Sequence, residues 1–362
     1  MGSRNTSQLA ALEALERAGF DVKNRATGEP PPVIPTPWPE LNNVLKCGGI
    51  PRRRYTQITG EPQHCKSLFA MHIIAAALQQ EPERLAILFD TENTFNSEWA
   101  KLNGIDVSKI YLIQGNTAER VYENALKAMQ TGQVGIVVID TIGQMLEQRG
   151  KDASFVDDSK KRKVGDFQQL LGRFAKTASD LMQEHNIAVV GVNHTYTNIG
   201  VTYGNPLVAP GGRAWRFNLT CDIELRKVKM ITSFEGADPI GVLVAVNVTK
   251  NKLGAQARTD DSTHIKVYFG EDGIRRGQID SLIDEAIRKG IINATGKGAW
   301  LTWEDANGKT IKKWQGQARM KFDILNDQEL ADQLDAHVNG LSDNKPISPE
   351  PTVRRSRTRV SG

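Results

Sequence analysis

The stretch YTQITGEPQHCKSLFAMHII (residues 55–74) decides how the rest of this sequence is read. YTQIT predicts a strand, GEPQHCKS (60–67) a loop, and Ile73, Ile74 and Leu78 a helix that follows. A loop between a strand and a helix N-terminus is where backbone N–H groups and the helix dipole wrap phosphates. In that reading Gly60, Glu61, Pro62, Gln63, His64 and Cys65 form the cradle, Lys66 reaches the β- and γ-phosphates and Ser67 ligates Mg²⁺. The pattern G-x-x-x-x-G-K-[ST] is incomplete, because Cys65 stands at its second glycine. A Cβ there costs about 1 kcal/mol if the backbone is left-handed. Alone, the motif fits an ordinary turn with a solvated Lys66 equally well.

The flanking pattern narrows the choice. LAILFD (85–90) and GIVVID (135–140) are apolar runs that end in aspartate, as buried parallel strands do. Asp140 thus stands where a Walker B carboxylate lies near the metal. Glu92, just past the first run in DTEN, is placed to orient or deprotonate an attacking water. Trp99 offers a face on which adenine can stack. A helix is predicted over residues 117–131 and a second through Phe167, Leu170, Leu171, Phe174, Ala178 and Leu181; IAVVGVN (187–193) returns as a strand. This alternation predicts an α/β fold, a mostly parallel sheet with helices on both faces. The runs 222–228, 240–249 and 263–269 have no helices between them and read as hairpins added to that sheet. Loops 144–164 and 194–212 are long, and each follows a strand's C-terminal end, where doubly wound folds place ligands.

Composition sets the outer bounds. With 39% hydrophobic and 24% charged residues among 362, the chain is ordinary globular protein. No apolar run approaches the ~20 residues that span a bilayer. MGSRNTSQ lacks the apolar region of a secretory signal. Cys47, Cys65 and Cys221 are too scattered for a zinc motif or a disulfide framework, so the expected compartment is cytoplasmic. The formal net charge is +4, and residues 343–362 supply three of those charges through Lys345, Arg354, Arg355, Arg357 and Arg359 against Asp343 and Glu350. Without a broad basic field, any DNA must be held by local clusters. Residues 1–28 carry a short amphipathic helix (Leu9, Leu12, Leu15) expected to pack between protomers. Residues 29–44 read as a Pro-rich extended linker, 45–272 as the core, 273–340 as a small α+β domain and 341–362 as a basic disordered tail.

Taken in order, GGIPRRRYTQITGEPQHCKS, LFDTEN, IVVIDT, VVGVNH, IGVTYGNPLVAPGGRAWRFN and TKNK resemble the RecA family of homologous-recombination ATPases, most closely its phage branch typified by UvsX. The resemblance runs from about residue 34 to 340. GVTYGNP followed by GGRAW is its most specific part and resembles the family's second DNA-binding loop; GAWLTW with LIDEAIRKGII resembles the family's small C-terminal domain. The resemblance implies a RecA-like P-loop NTPase core that uses ATP and Mg²⁺. It makes Lys66, Glu92 and His194 catalytic, with His194 as γ-phosphate sensor, a glutamine in bacterial members and a histidine in the phage branch. Ser67 and Asp140 become metal ligands and Trp99 the adenine face.

The same resemblance has Lys250 and Lys252 reaching a neighbour's nucleotide in trans and Phe217 plugging into the adjacent protomer. It makes Gly200, Tyr203, Gly204, Asn205, Gly211, Gly212, Arg213 and Lys176 DNA-binding candidates. The implied partners are single-stranded DNA, homologous double-stranded DNA, further copies in a helical filament, a single-strand-binding protein and a loading mediator, with no membrane. Three departures stand out: Cys65 in the P-loop, a first loop from residue 144 that shares length but little sequence with the family, and a basic tail where many bacterial members end in an acidic one. The implied activity is DNA-dependent ATP hydrolysis with strand exchange. A non-hydrolysing mediator, favoured by Cys65 alone, and a hexameric helicase, disfavoured by loop 200–212 and the terminal units, are the alternatives.

Overall fold

A computed structural model describes residues 14, 17–18, 30–114, 117–144, 166–197, 207–233, 236–253, 262–270, 272–296, 299–305 and 308–340. The elements begin with β1 (Val33–Ile34), α1 (Pro39–Val44) and β2 (Ile50–Pro51). An alternating series follows: β3 (Tyr55–Gly60), α2 (Lys66–Gln80), β4 (Leu85–Asp90), α3 (Ser97–Leu102), β5 (Ile110–Gln114), α4 (Ala118–Gln130), β6 (Val134–Asp140), α5 (Asp166–His185) and β7 (Ala188–His194). A short antiparallel pair, β8 (Tyr196–Thr197) and β9 (Leu207–Val208), leads to α6 (Gly212–Asn218), β10 (Leu219–Thr232), β11 (Pro239–Asn251) and β12 (Ser262–Tyr268). The C-terminal unit holds α7 (Gly273–Arg288), β13 (Ile292–Thr295), β14 (Trp300–Glu304), β15 (Thr310–Gln315), α8 (Gly316–Asn326) and α9 (Gln328–Gly340).

Eight strands form one sheet in the order β12-β11-β10-β3-β7-β6-β4-β5. From β10 to β5 every pairing is parallel, and β11 and β12 extend the other side antiparallel. The fold is therefore the expected α/β arrangement. Strand side chains alternate between faces, and both faces are apolar here. Ile58, Leu88, Ile136, Val138 and Val190 pack with Phe69, Ile73 and Ile74 of α2 on one side. Ile87, Phe89, Val137, Ile139 and Val189 pack with Tyr122 of α4 and Leu171, Phe174 and Ala178 of α5 on the other. Burying each such side chain contributes about 1.5–3 kcal/mol, which fixes the strand order and hence the strand ends. Gly60 lies opposite His194, Asp140 opposite Val192, and Asp90 opposite Asp140. Gly60, His194, Asp140 and Asp90 thus share the C-terminal end of the parallel strands.

The extended reading of the Pro-rich stretch holds for residues 30–38, which include β1, and is corrected for its last six residues. Pro39–Val44 is helical, and Trp38, Leu41 and Leu45 are buried in the main core. Pro39 stands in the first turn, where its missing N–H breaks no helical bond. Trp38 stacks on Phe69 and His72, with ring centroids 4.7 and 5.4 Å away, and its Nε1 donates to Lys266 O at 3.3 Å. Strand β5, which the apolar pattern did not announce, lies at the open edge of the sheet and alternates between half-buried and exposed. The C-terminal unit has its own core of Ile283, Trp303, Trp314, Ile324 and Leu334. Asp280 of α7 ties it to the sheet, accepting from Tyr268 Oη at 2.6 Å and from Lys321 Nζ at 2.7 Å. Apart from residues 14 and 17–18, the predicted N-terminal helix lies outside the described residues, as do most of loop 144–164 and the tail.

Candidate nucleotide site

The loop after β3 has the geometry of an anion cradle. Gly60 runs so close to β10 that a Cβ would come within 2.5 Å of Leu225 O, so a side chain cannot be accommodated there. The chain then turns through two left-handed residues, Gln63 (φ 63°) and Cys65 (φ 62°). Such turns point successive N–H groups into one concavity, and the first four N–H groups of α2 have no acceptor within the helix. Cys65 caps α2 in that conformation and carries the strain its Cβ implies, about 1 kcal/mol. His64 pins the loop by donating from Nδ1 to Leu225 O at 3.1 Å. Lys66 is only 5% exposed, and its Nζ donates to Glu61 O at 2.8 Å. Burial pulls its pKa below the ordinary lysine value, while Asp140, Glu92 and Cys65 act in the opposite direction.

Across from the loop, β6 ends in Asp140. Its Oδ1 is buried with no hydrogen-bond partner, and its carboxyl accepts from the Ser67 hydroxyl. Burial pushes the Asp140 pKa up to about 6; the Ser67 bond and Lys66 oppose the shift, and Glu92 and Asp90 add to it. A hard, unpaired carboxylate oxygen beside a hydroxyl suits Mg²⁺, which takes one or two protein oxygens and fills its remaining positions with phosphate and water. Among the described residues no group of three or more His, Cys, Asp or Glu could hold a metal without such help.

Glu92 sits between these elements. Its Oε1 accepts from Thr141 Oγ1 at 3.1 Å and lies 2.9 Å from His194 Nε2 at the end of β7. His194 Nδ1 is buried and has no partner. Two residues that sequence reading passed over hold Glu92 in place. Thr91 Oγ1 donates to Thr141 O at 2.9 Å and accepts from Thr141 N at 2.8 Å, lacing β4 to β6. Asp90, 3% exposed, accepts from Thr94 N at 3.2 Å, Phe95 N at 2.9 Å and Gln114 Nε2 at 3.3 Å, and so shapes the loop that carries Glu92. The one signal for Asp90 was its place at the end of an apolar run, before the polar TENT. Asn96 caps α3 by accepting from Trp99 N at 2.9 Å. Trp99, 40% exposed, then forms one wall of a cavity of about 360 Å³ shared with Ser67, Met71, Phe95 and Asp140. Phosphate cradle, carboxylates and aromatic wall are contiguous.

The remaining candidates lie elsewhere. Phe217 is 74% exposed on α6 and belongs to no core. Lys250 Nζ donates to Arg216 O, and Lys252 Nζ donates to Phe217 O at 2.6 Å, so the pair caps the last carbonyls of α6. Lys250 pairs with Asp222, itself level with Gln57, and Lys252 N donates to Thr220 O. At ~3.3 Å per residue along a strand and ~4.8 Å between strands, the lysine backbones lie roughly 15 Å from the Gly60 end of β3. They are remote from their own P-loop. Gly211 and Gly212 are left-handed (φ 114° and 68°) at the entry to α6; Arg213 follows on α6, and Lys176 is exposed on α5. Gly200, Tyr203, Gly204 and Asn205 lie outside the described residues. No helix among the described residues is long and apolar enough to cross a membrane.

Residues 30–275 match the family model of the RecA N-terminal domain. The chain is 28% identical over 316 residues to the protein RecA of Heliobacterium modesticaldum, covering 87% of this chain and 85% of that one. It is 29% identical over 309 residues to that of Aquifex pyrophilus, with coverages of 85% and 83%. Against that of Thermus thermophilus it is 28% identical over 339 residues, 92% of this chain and 93% of the other. With the cradle, the paired carboxylates and the parallel sheet in place, the chain belongs to the RecA family of recombinases.

Proposed function

We propose that this protein is an ATP-dependent DNA strand-exchange recombinase that polymerises on single-stranded DNA as a helical filament and pairs it with homologous duplex. The observation that carries the reading is the convergence of Lys66, Ser67, Asp140, Glu92 and His194 at the C-terminal ends of the parallel strands, next to an aromatic-walled cavity. Lys66 neutralises phosphate charge, and Glu92 orients or deprotonates the attacking water. Ser67 and Asp140 would hold Mg²⁺, which neutralises phosphate oxygens when bound. His194 joins this site to the segment 194–212, whose glycines suit a loop that follows a DNA backbone. Bases stay free to pair, so specificity comes from Watson–Crick pairing.

Assembly completes the site in this reading. Lys250, Lys252 and Phe217 serve the neighbouring protomer, supported by the exposure of Phe217 and by the distance of both lysines from their own P-loop. Residues 1–28 pack between protomers, Lys176 and Arg213 meet DNA phosphates, and a single-strand-binding protein and a loading mediator act alongside. The phage-type, UvsX-like assignment is supported by histidine at 194 and a side chain at 65. Cys65 adopts the left-handed turn in spite of its Cβ, which favours a working cradle over a non-hydrolysing mediator.

Hydrolysis and filament formation test this directly. Glu92→Gln should bind ATP with near-normal affinity yet lower DNA-stimulated turnover by about a hundredfold, because it removes only the base. Lys66→Ala should weaken both binding and turnover. Wild-type protein that hydrolyses no ATP on single-stranded DNA, or forms rings under the electron microscope, overturns the reading.

A further inference from the structure

Behind His194 lies a buried polar cluster that hydrolysis does not use. Gln57 of β3 is 1% exposed; its Oε1 accepts from Trp215 Nε1 at 2.6 Å and from Asn193 Nδ2 at 3.3 Å, and its Nε2 donates to Asp222 Oδ1 at 3.2 Å. Asn193 of β7 is fully buried, and its Nδ2 also donates to Pro210 O at 2.8 Å. Trp215 of α6 is fully buried as well.

Two chain segments converge on this cluster. Ile142 and Gly143 leave β6 toward residues 145–165, and Pro210 to Trp215 return from residues 198–206. A Cβ on Gly191 would overlap Ile142 Cδ1 and come within 3.2 Å of the Trp215 ring. A Cβ on Gly143 would lie 2.7 Å from Pro210 Cγ and 2.9 Å from Asn193 Oδ1. The roots of both long loops therefore rest on Gly191 and Asn193. The next residue along β7, His194, touches Glu92.

Asn193 Oδ1 is buried and has no hydrogen-bond partner. A buried acceptor left open is uncommon and needs a reason. Both donated bonds leave from the Nδ2 side of the amide, while Oδ1 faces the Gly143 segment. A shift of either loop root that brought a backbone N–H to Oδ1 would change the bonds of Nδ2. Such an exchange of partners would give the cluster a second arrangement, which is what coupling between sites requires.

We infer that the Gln57–Asn193–Trp215 cluster holds the two loop roots in register with the Glu92–His194 pair, with Gln57 and Trp215 as positioning residues that pass DNA occupancy to the nucleotide site. The inference rests on the proposed reading of segment 194–212 as a DNA-binding loop. Packing alone would make the cluster a passive support, so the decisive change is loss of a hydrogen bond beyond any loss of bulk. Trp215→Phe removes the N–H donor together with part of the buried ring, so its packing loss is read against a packing control. Gln57→Met removes the acceptor at similar size and repeats the test should Trp215→Phe fail to fold. Leu171→Val trims the apolar packing that Leu171 and Trp215 share around Gly211 and alters no hydrogen bond of the cluster, so it serves as the packing control.

The measurement is the affinity of full-length protein for an oligo-dT strand with a non-hydrolysable ATP analogue and with ADP. ATP KM without DNA and the thermal unfolding midpoint accompany it. In Trp215→Phe the ratio of the two DNA affinities should fall about fivefold, with DNA-stimulated kcat falling and the DNA-free KM unchanged. Leu171→Val should lower the midpoint and leave the ratio intact. A wild-type ratio in both cluster variants, or equal losses in Trp215→Phe and Leu171→Val, overturns the inference while the recombinase reading stands. Wild-type protein that binds oligo-dT equally with both nucleotides, or not at all, overturns that reading and the inference with it.

Discussion

At the N-terminal ends of the parallel strands, Arg52 is 1% exposed and fully engaged: it bonds Gly135 O, Asn186 O and Gln80 Oε1 and pairs with Glu81 at 2.9 Å. At the C-terminal ends, Lys66 is almost as buried, yet Asp140 Oδ1 and His194 Nδ1 have no partner. Helix α2 connects the two ends, with Lys66 in its first turn and Gln80 in its last. One end uses its charge to clamp its own backbone. The other keeps donors and acceptors open for a ligand and is less stable without one. Charge burial alone does not mark a site; here a buried lysine lies beside a carboxylate that its own fold leaves partly open.

The largest test of this contrast is Arg52→Met. Removing Arg52 leaves two carbonyls and Gln80 Oε1 without their donor and Glu81 with Arg84 alone, so urea unfolding should show a loss of about 3 kcal/mol. ATPase per folded molecule should be unchanged. A loss under about 1 kcal/mol would mean that the clamp contributes no more than a surface pair.

Asp140→Asn should move stability the other way. In the fold the Asp140 pKa rises from 3.8 to about 6, so the ionised carboxylate is disfavoured there. Its cost is absent at low pH, appears as pH rises from about 4 to 6 and is complete above 6. The nucleotide-free variant should therefore be more stable than wild type by about 3 kcal/mol at pH 8, and the difference should vanish as pH falls to about 4. Mg²⁺-dependent hydrolysis should be lost. A pH-independent difference would point to packing instead of charge.

Cys65→Gly should have the smallest effect. It removes Cβ strain at a left-handed residue but adds chain entropy to the unfolded state, for a net gain of about 0.5 kcal/mol. A destabilised Cys65→Gly protein would show that the thiol's contacts outweigh the strain.

What could be read from the chain follows the range of the forces involved. Strands β3, β4, β6 and β7 and helices α2, α4 and α5 carry long apolar patterns set by burial on both faces, and the P-loop lies within a few residues of two of them. Strand β5 escaped notice because it is short, half-exposed and at the edge. Helix α1 did so because proline composition argues against helix except in the first turn, and its stability comes from Trp38 stacked on Phe69 and His72. Lys66, Asp140 and Glu92 were legible because their positions relative to strands are local. Thr141, which bonds Glu92, comes from another strand and no local spacing signals it, whereas Asp90 shapes the Glu92 loop through Thr94 and Phe95 and had only its place at the end of an apolar run to mark it. Lys250 and Lys252 were singled out by resemblance, but their hold on the α6 carbonyls depends on the register between β10 and β11.

That remote position of Lys250 and Lys252 has an arithmetic consequence for a head-to-tail filament. If each pair serves the next subunit, a filament contains one complete site fewer than it has protomers. The terminal protomer at one end has an unfinished site, and the one at the other end has lysines with no phosphate to meet. Turnover per subunit should then climb with filament length and level off, so short DNA strands would be poor activators even at saturation. The two ends also differ chemically, which gives growth and loss of subunits a direction without any outside factor.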